Sequence, residues 1–170
     1  MVKATLSFLA VLFVFSATAR AQSTPTATFI SGADIKALTK SAAPRIVDTG
    51  GNYVGMGVQH RPKADKGKAG NPLIHSTVTE VYIITEGSAT LATGGKMTGA
   101  TPFPPDNKDN GEGIGLGLTG AVEKPSDVRS VVPGDVIIIP SGCPHWFTEV
   151  PENLTYLVVR IDPSKTIVLK

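Results

Sequence analysis

The chain has 170 residues, 41% of them hydrophobic and 18% charged, with a formal charge of +2. That length fits one domain, and so small a charge excludes the clustered basic surface of a nucleic-acid binder. Thirteen prolines and eighteen glycines argue against a helical bundle, and a single cysteine excludes a disulfide framework and a multi-cysteine metal cluster.

Lys3 precedes an apolar run from Leu6 to Phe15, and small residues then lead to Ala19-Arg20-Ala21. A basic start, a short apolar stretch and an A-x-A ending predict a signal peptide over residues 1–21. The run is shorter than the roughly 20 apolar residues that span a bilayer. Cleavage removes Lys3 and Arg20 and no acid, leaving 14 basic and 14 acidic residues. The expected product is a neutral exported domain, periplasmic or secreted, with no stable membrane anchor after cleavage and no nucleic-acid partner.

Residues 22–44 read as an N-terminal arm and a short helix. The arm, 22–28, is rich in Ser, Thr, Ala and Pro. Ser31 with Asp34 three residues on resembles a capping box and predicts a helix reaching Lys40.

From Arg45 onward the pattern is one of short strands with Gly/Pro punctuation, which implies a sandwich or barrel. Arg45–Asp48 and Tyr53–His60 are the first strands, the second carrying Gly55 and Gly57, a sign of a bulge or a close backbone contact. Glu80–Thr85 and Ser88–Thr93 flank Glu86-Gly87, expected to be a tight hairpin turn. Val128–Val132 and Asp135–Ile139 flank Pro133-Gly134. His145–Val150 and Leu154–Ile161 flank Pro151-Glu152-Asn153. Two long loops interrupt this scheme, a basic one over 61–72 and a Gly/Pro/Asp/Asn-rich one over about 95–124. The glycines of 111–117 lack the strand-then-helix context of a phosphate loop.

Two segments carry the chemistry. His75 and Glu80 are five apart, which on one strand puts them on opposite faces. A reversal through Ser76–Thr79 makes them cross-strand neighbours on one face, where an imidazole and a carboxylate can hold a divalent metal. Farther on, the apolar run Val136–Ile139 enters a turn stiffened by Pro140, Gly142 and Pro144, and His145 opens the next strand. Such a turn leaves His145 little freedom, as a ligand requires.

Together the two segments resemble the cupin superfamily. Its first motif, G-x5-H-x-H-x3–4-E-x6-G, is matched in its second half by His75, Glu80 and Gly87. Its second, G-x5-P-x-G-x2-H-x3-N, is matched by Gly134, Pro140, Gly142 and His145. The resemblance implies an all-β fold, a cupin-type antiparallel jelly-roll barrel over residues 45–170, with a divalent metal (Fe, Mn, Zn or Ni) held inside. Departures are visible. Leu73 stands where the first histidine of H-x-H belongs, Gly67 and Gly70 miss the position of the leading glycine, and Glu149 replaces the terminal asparagine. The remaining His75, Glu80 and His145 form a two-histidine, one-carboxylate triad, with His60 a candidate fourth ligand. Tyr82 and Ile84 share the strand parity of Glu80, so both face the interior, and Tyr82 is expected to line a substrate pocket. Arg160 interrupts an apolar strand, either as an anion-binding group in the cavity or as an exposed edge residue. Cys143 is expected to be a partly buried free thiol. The implied function is binding or transformation of a small organic molecule, as an oxygenase, isomerase or lyase. The alternatives are a non-catalytic small-molecule or sugar-binding cupin and a structural protein with a vestigial site. A homodimer is the expected assembly.

Overall fold

The computed structural model describes residues 26–39, 45–103 and 115–167. The expected signal peptide over 1–21 and the start of the arm lie outside the described residues, as do residues 40–44 and 104–114. Among the described residues there are one helix and ten strands.

Helix α1 (Gly32–Leu38) starts where the capping box places it: Ser31 Oγ accepts from the Asp34 N–H at 3.1 Å, and Asp34 Oδ2 accepts from the Ser31 N–H at 3.1 Å. Thr39 caps its C-terminal end, and none of its residues is buried. No helix among the described residues is long and apolar enough to cross a membrane.

The strands form two antiparallel sheets that share one long strand. The first sheet runs in the order β1 (Arg45–Asp48), β2 (Tyr53–Ala64), β10 (His145–Asp162), β4 (Thr79–Gly87) and β9 (Val136–Ile139). The second contains β8 (Asp127–Val131), β5 (Ala89–Thr93), the start of β10, β3 (Leu73–His75), β7 (Gly117–Val122) and β6 (Met97–Pro102). Strand β10 belongs to the second sheet over His145–Glu149 and to the first from Val150 on. Sheets that exchange a strand at a bulged corner enclose a single interior, the jelly-roll arrangement.

The expected hairpin at Glu86-Gly87 does not form. Strand β4 pairs with β9 and β10, whereas β5 pairs with β8 and β10, so the chain crosses there from one sheet to the other. Gly87 has φ +72°, and any Cβ on it would overlap the Asn153 carbonyl. Pro133-Gly134 likewise separates strands of different sheets, β8 and β9. His145–Val150 and Leu154–Ile161 are one strand of 18 residues. Pro151, which has no N–H to donate, sits where the register shifts between Val150 and Asn153, so no ladder bond is lost to it. In each case the turn residues mark a change of direction and leave the next partner undecided.

Two expected loops shrink. Strand β2 continues through Arg61–Ala64, and the turn after it is tied down by the Gly67 N–H donating to the Thr148 carbonyl at 2.7 Å. Within 95–124, β6 and β7 pair with each other. Their sequences, MTGATP and GLTGAV, carry too little hydrocarbon to read as strands. Gly55 and Gly57 mark no bulge, because the β2–β10 register is continuous from Tyr53 to Pro62. Gly55 instead lies directly opposite Arg160, the close backbone contact.

Inward positions alternate along each strand. On β10 these are Leu154, Tyr156, Val158, Arg160 and Asp162; on β4 they are Glu80, Tyr82 and Ile84, all buried. Leu91, Val131, Ile139, Phe147 and Val150 complete the apolar core.

Candidate metal centre

His75 closes β3 and His145 opens β10. Leu73 and His145 are direct partners in the β3–β10 ladder, so Leu73, His145 and, two residues along, His75 share the inner face of one sheet. The Gly142 N–H donates to the His75 carbonyl at 2.8 Å, which ties the Pro/Gly turn before His145 to the end of β3. Glu80 comes from the opposite sheet, where its ladder partners are Arg160 and Ile139. His75 and Glu80 are therefore not cross-strand neighbours, as the reversal through Ser76–Thr79 was expected to make them. That segment carries the chain between the sheets, and the two side chains meet across the barrel interior.

They meet on one carboxylate oxygen. His75 Nε2 lies 3.4 Å and His145 Nε2 3.1 Å from Glu80 Oε2. The Tyr82 hydroxyl donates to the same oxygen at 2.8 Å, and Arg160 Nε donates to Oε1 at 2.7 Å. Water is almost wholly excluded: Glu80 is 0% exposed, His145 2%, His75 5% and Arg160 6%.

Burial disfavours the Glu80 charge. The adjoining His145 and His75 rings and the Arg160 charge outweigh it and hold the carboxyl well below its usual range. Burial and the Glu80 charge push the Tyr82 hydroxyl well above its usual value, so it stays a donor.

The state of His145 follows from its partners. Its Nδ1 is 3.0 Å from the Cys143 carbonyl oxygen, which only accepts, so Nδ1 carries hydrogen. In the neutral ring Nε2 then presents a lone pair, buried, without a hydrogen-bond partner and facing a carboxylate oxygen. Two lone pairs held face to face away from water need a proton or a cation between them. His75, whose buried Nδ1 also has no partner, adds a second imidazole. One donor atom from each of His75, Glu80 and His145 lies within 4.8 Å of the others. Ligands about 2.0–2.2 Å from a common metal lie about 3–3.5 Å apart, close to the 3.1 and 3.4 Å observed. The residues therefore fit a divalent ion, and two nitrogens with one oxygen suit Fe, Mn, Zn or Ni.

The other sequence candidates separate. Arg160 is inside, committed to Glu80, and not at an exposed edge. Tyr82 is inside as well and lines a small cavity beside His145. His60 is not brought to the triad: it is exposed on β2, with Nδ1 3.1 Å from Thr155 Oγ1. Parity is the reason, since the inward positions of β2 are Gly55, Gly57, Gln59 and Arg61. Cys143 is a partly buried free thiol, and its carbonyl is the atom that orients His145.

Two residues at the site escaped the sequence reading. Phe103 packs edge-on against His75, ring centroids 6.1 Å apart, from a segment read as loop. Arg61 was assigned to the basic loop, yet its Nε donates to the Tyr156 hydroxyl at 3.2 Å and its guanidinium lies 5.1 Å from the Phe147 ring centre. Extending the alternation of Gly55, Gly57 and Gln59 by one step would have found it.

Several solved structures are similar to this chain at low identity. A Bacillus halodurans protein is 15% identical over 83% of this chain and 86% of that chain, with a TM-score of 0.47. A Bacteroides fragilis cupin protein is 11% identical over 69% and 72%, with a TM-score of 0.40. KdgF from a Halomonas species is 13% identical over 70% and 76%, with a TM-score of 0.41. No curated protein matches the sequence significantly. Residues 48–170, most of the chain, match the cupin family, and the chain belongs to that family.

Proposed function

We propose that this cupin binds a divalent metal through His75, Glu80 and His145 and binds or transforms a small organic molecule beside it. The observation that carries the reading is the buried, unpartnered Nε2 of His145 facing Glu80 Oε2 at 3.1 Å. A bound metal would supply Lewis acidity, or a site for dioxygen, as an oxygenase, isomerase or lyase requires. The protein's own residues do the rest. Cys143 fixes the His145 tautomer through its carbonyl. Tyr82 and Arg160 orient the Glu80 carboxylate. The surrounding core keeps water out. The N-terminal pattern of residues 1–21 supports export, periplasmic or secreted, followed by cleavage. A homodimer is supported by Val136 and Ile138 on edge strand β9, 59% and 68% exposed.

One observation favours non-catalytic binding. Arg160 already balances the Glu80 charge at Oε1, so charge balance alone does not call for an ion. The test is metal content of the purified protein beside His75→Ala and His145→Ala. Stoichiometric metal in the wild type, lost in both folded variants, is expected. No metal after reconstitution with Fe(II), Mn(II), Zn(II) or Ni(II) overturns the metal reading and leaves the binding one. Sedimentation of the wild type beside Ile138→Lys tests the dimer.

A further inference from the structure

A cavity of about 90 Å³ lies against His145, lined by Arg61, Asn71, Leu73, Tyr82, Leu91 and Phe147 among others. It holds about three waters' worth of liquid volume, room for a carboxylate group and little more. Leu73, which stands where the family motif has a histidine, forms part of its wall. Leucine there gives the cavity a hydrocarbon wall where a ligand nitrogen would otherwise stand.

Among the described residues Arg61 is the one permanently charged group on that wall. Its Nε is held by the Tyr156 hydroxyl, and its plane packs on Phe147. The guanidinium is thus fixed before any ligand arrives. Among the described residues no carboxylate pairs with it: Glu80 pairs with Arg160, Asp34 with Arg45 and Asp127 with Arg129. The other buried acid, Asp162, is occupied by the Ser164 and Ile167 N–H groups and the Thr166 hydroxyl. Among the described residues the interior therefore sets one available carboxylate, Glu80, against two guanidinium groups, and a divalent ion would add to the positive excess. Burial disfavours the Arg61 charge, but the Tyr156, Tyr82 and Glu80 oxygens outweigh it, so the group stays a cation.

We infer that Arg61 is the anchor for an anionic substrate, and that the small molecule taken into this barrel is a short-chain carboxylate whose carboxyl group occupies the cavity beside His145. A guanidinium presents paired N–H donors that match the two oxygens of a carboxylate. This rests on the barrel interior being the binding site proposed above, but it does not require the metal. It assigns to Arg61 the anion-binding role that the sequence suggested for Arg160.

Equilibrium dialysis of radiolabelled pyruvate against the full chain, chelator-treated and metal-loaded, tests it. Saturable binding to the wild type is expected, weakened about tenfold or more in Arg61→Met, as loss of a hydrogen bond between charged groups implies. Pyruvamide, neutral and of the same shape, is expected not to compete. Equal binding by Arg61→Met, equal competition by pyruvamide, or failure of pyruvate, acetate and oxalate alike to bind the metal-loaded wild type overturns the inference. The pyruvamide comparison needs no variant, so a folding defect in Arg61→Met does not shield it. Metal content measured on the same samples separates the two readings. Metal without carboxylate binding sinks only this one. Arg61-dependent pyruvate binding by a protein that takes up no metal sinks only the other.

Discussion

Toward Leu154, Leu91 and Phe147 the barrel interior is hydrocarbon but for the Arg61 guanidinium packed on Phe147; toward His75, Glu80, His145 and Arg160 it holds four ionisable groups at nearly the same depth. Tyr82 stands between, its ring 4.6 Å from that of Tyr156 and its hydroxyl on Glu80. In the first region burial itself stabilises, at roughly 25 cal/mol per Å² of apolar surface. In the second burial is a cost that each group offsets only through its partners. One region is therefore tolerant of shape-preserving exchange, and the other fails when any single partner is removed. A polar region of that kind is a poor source of stability, which supports the metal site proposed for it.

The largest expected effect comes from stranding a charge. Glu80→Leu leaves Arg160 buried and unpaired and is expected to cost about 3–5 kcal/mol in denaturant unfolding. The double variant Glu80→Leu with Arg160→Met is expected to recover wild-type stability or exceed it, while metal uptake stays lost. A double variant as unstable as the single one would break the contrast, because the polar region would then be a stability element. Next comes Leu154→Ala, at 0% exposure in the apolar region. It is expected to cost about 2–5 kcal/mol, with the folded fraction binding as much metal as the wild type. Tyr82→Phe, on the border, sharpens the comparison. It keeps the ring packing, removes one donor to Glu80, and is expected to cost about 1.5–3 kcal/mol, with weaker metal retention. The smallest effect belongs to Ser31→Ala. It removes the cap of a helix with no buried residue, worth about 1 kcal/mol to that helix, and global unfolding is expected to be unchanged within error.

Legibility followed the same division. The candidate triad was readable because each member sits on a local signal: His145 after a Pro/Gly turn, Glu80 seven residues before Gly87, His75 just before a strand start. Glycine at 87 is required by a contact with Asn153, yet its spacing is local enough to be seen. Arg160 and Arg61 were harder. A charged residue in an apolar strand faces inward or outward according to a partner on a neighbouring strand, and for Arg160 that partner is Glu80, eighty residues away. For β2, ending the strand at His60 hid the inward position next to it, and the structure places His60 outside and Arg61 inside.

The sequence by itself determined the all-β character, the capped helix and the inward face of β4, because capping and alternation are short-range and carry their own period. Tertiary structure alone decided which strands pair. Glu86-Gly87, Pro133-Gly134 and Pro151-Glu152 all turn or bend the chain, and the first two join strands of different sheets while the third lies within one strand. Turn chemistry sets a local direction. The strand that follows settles beside whichever partner completes the common core, and that choice depends on the whole chain at once.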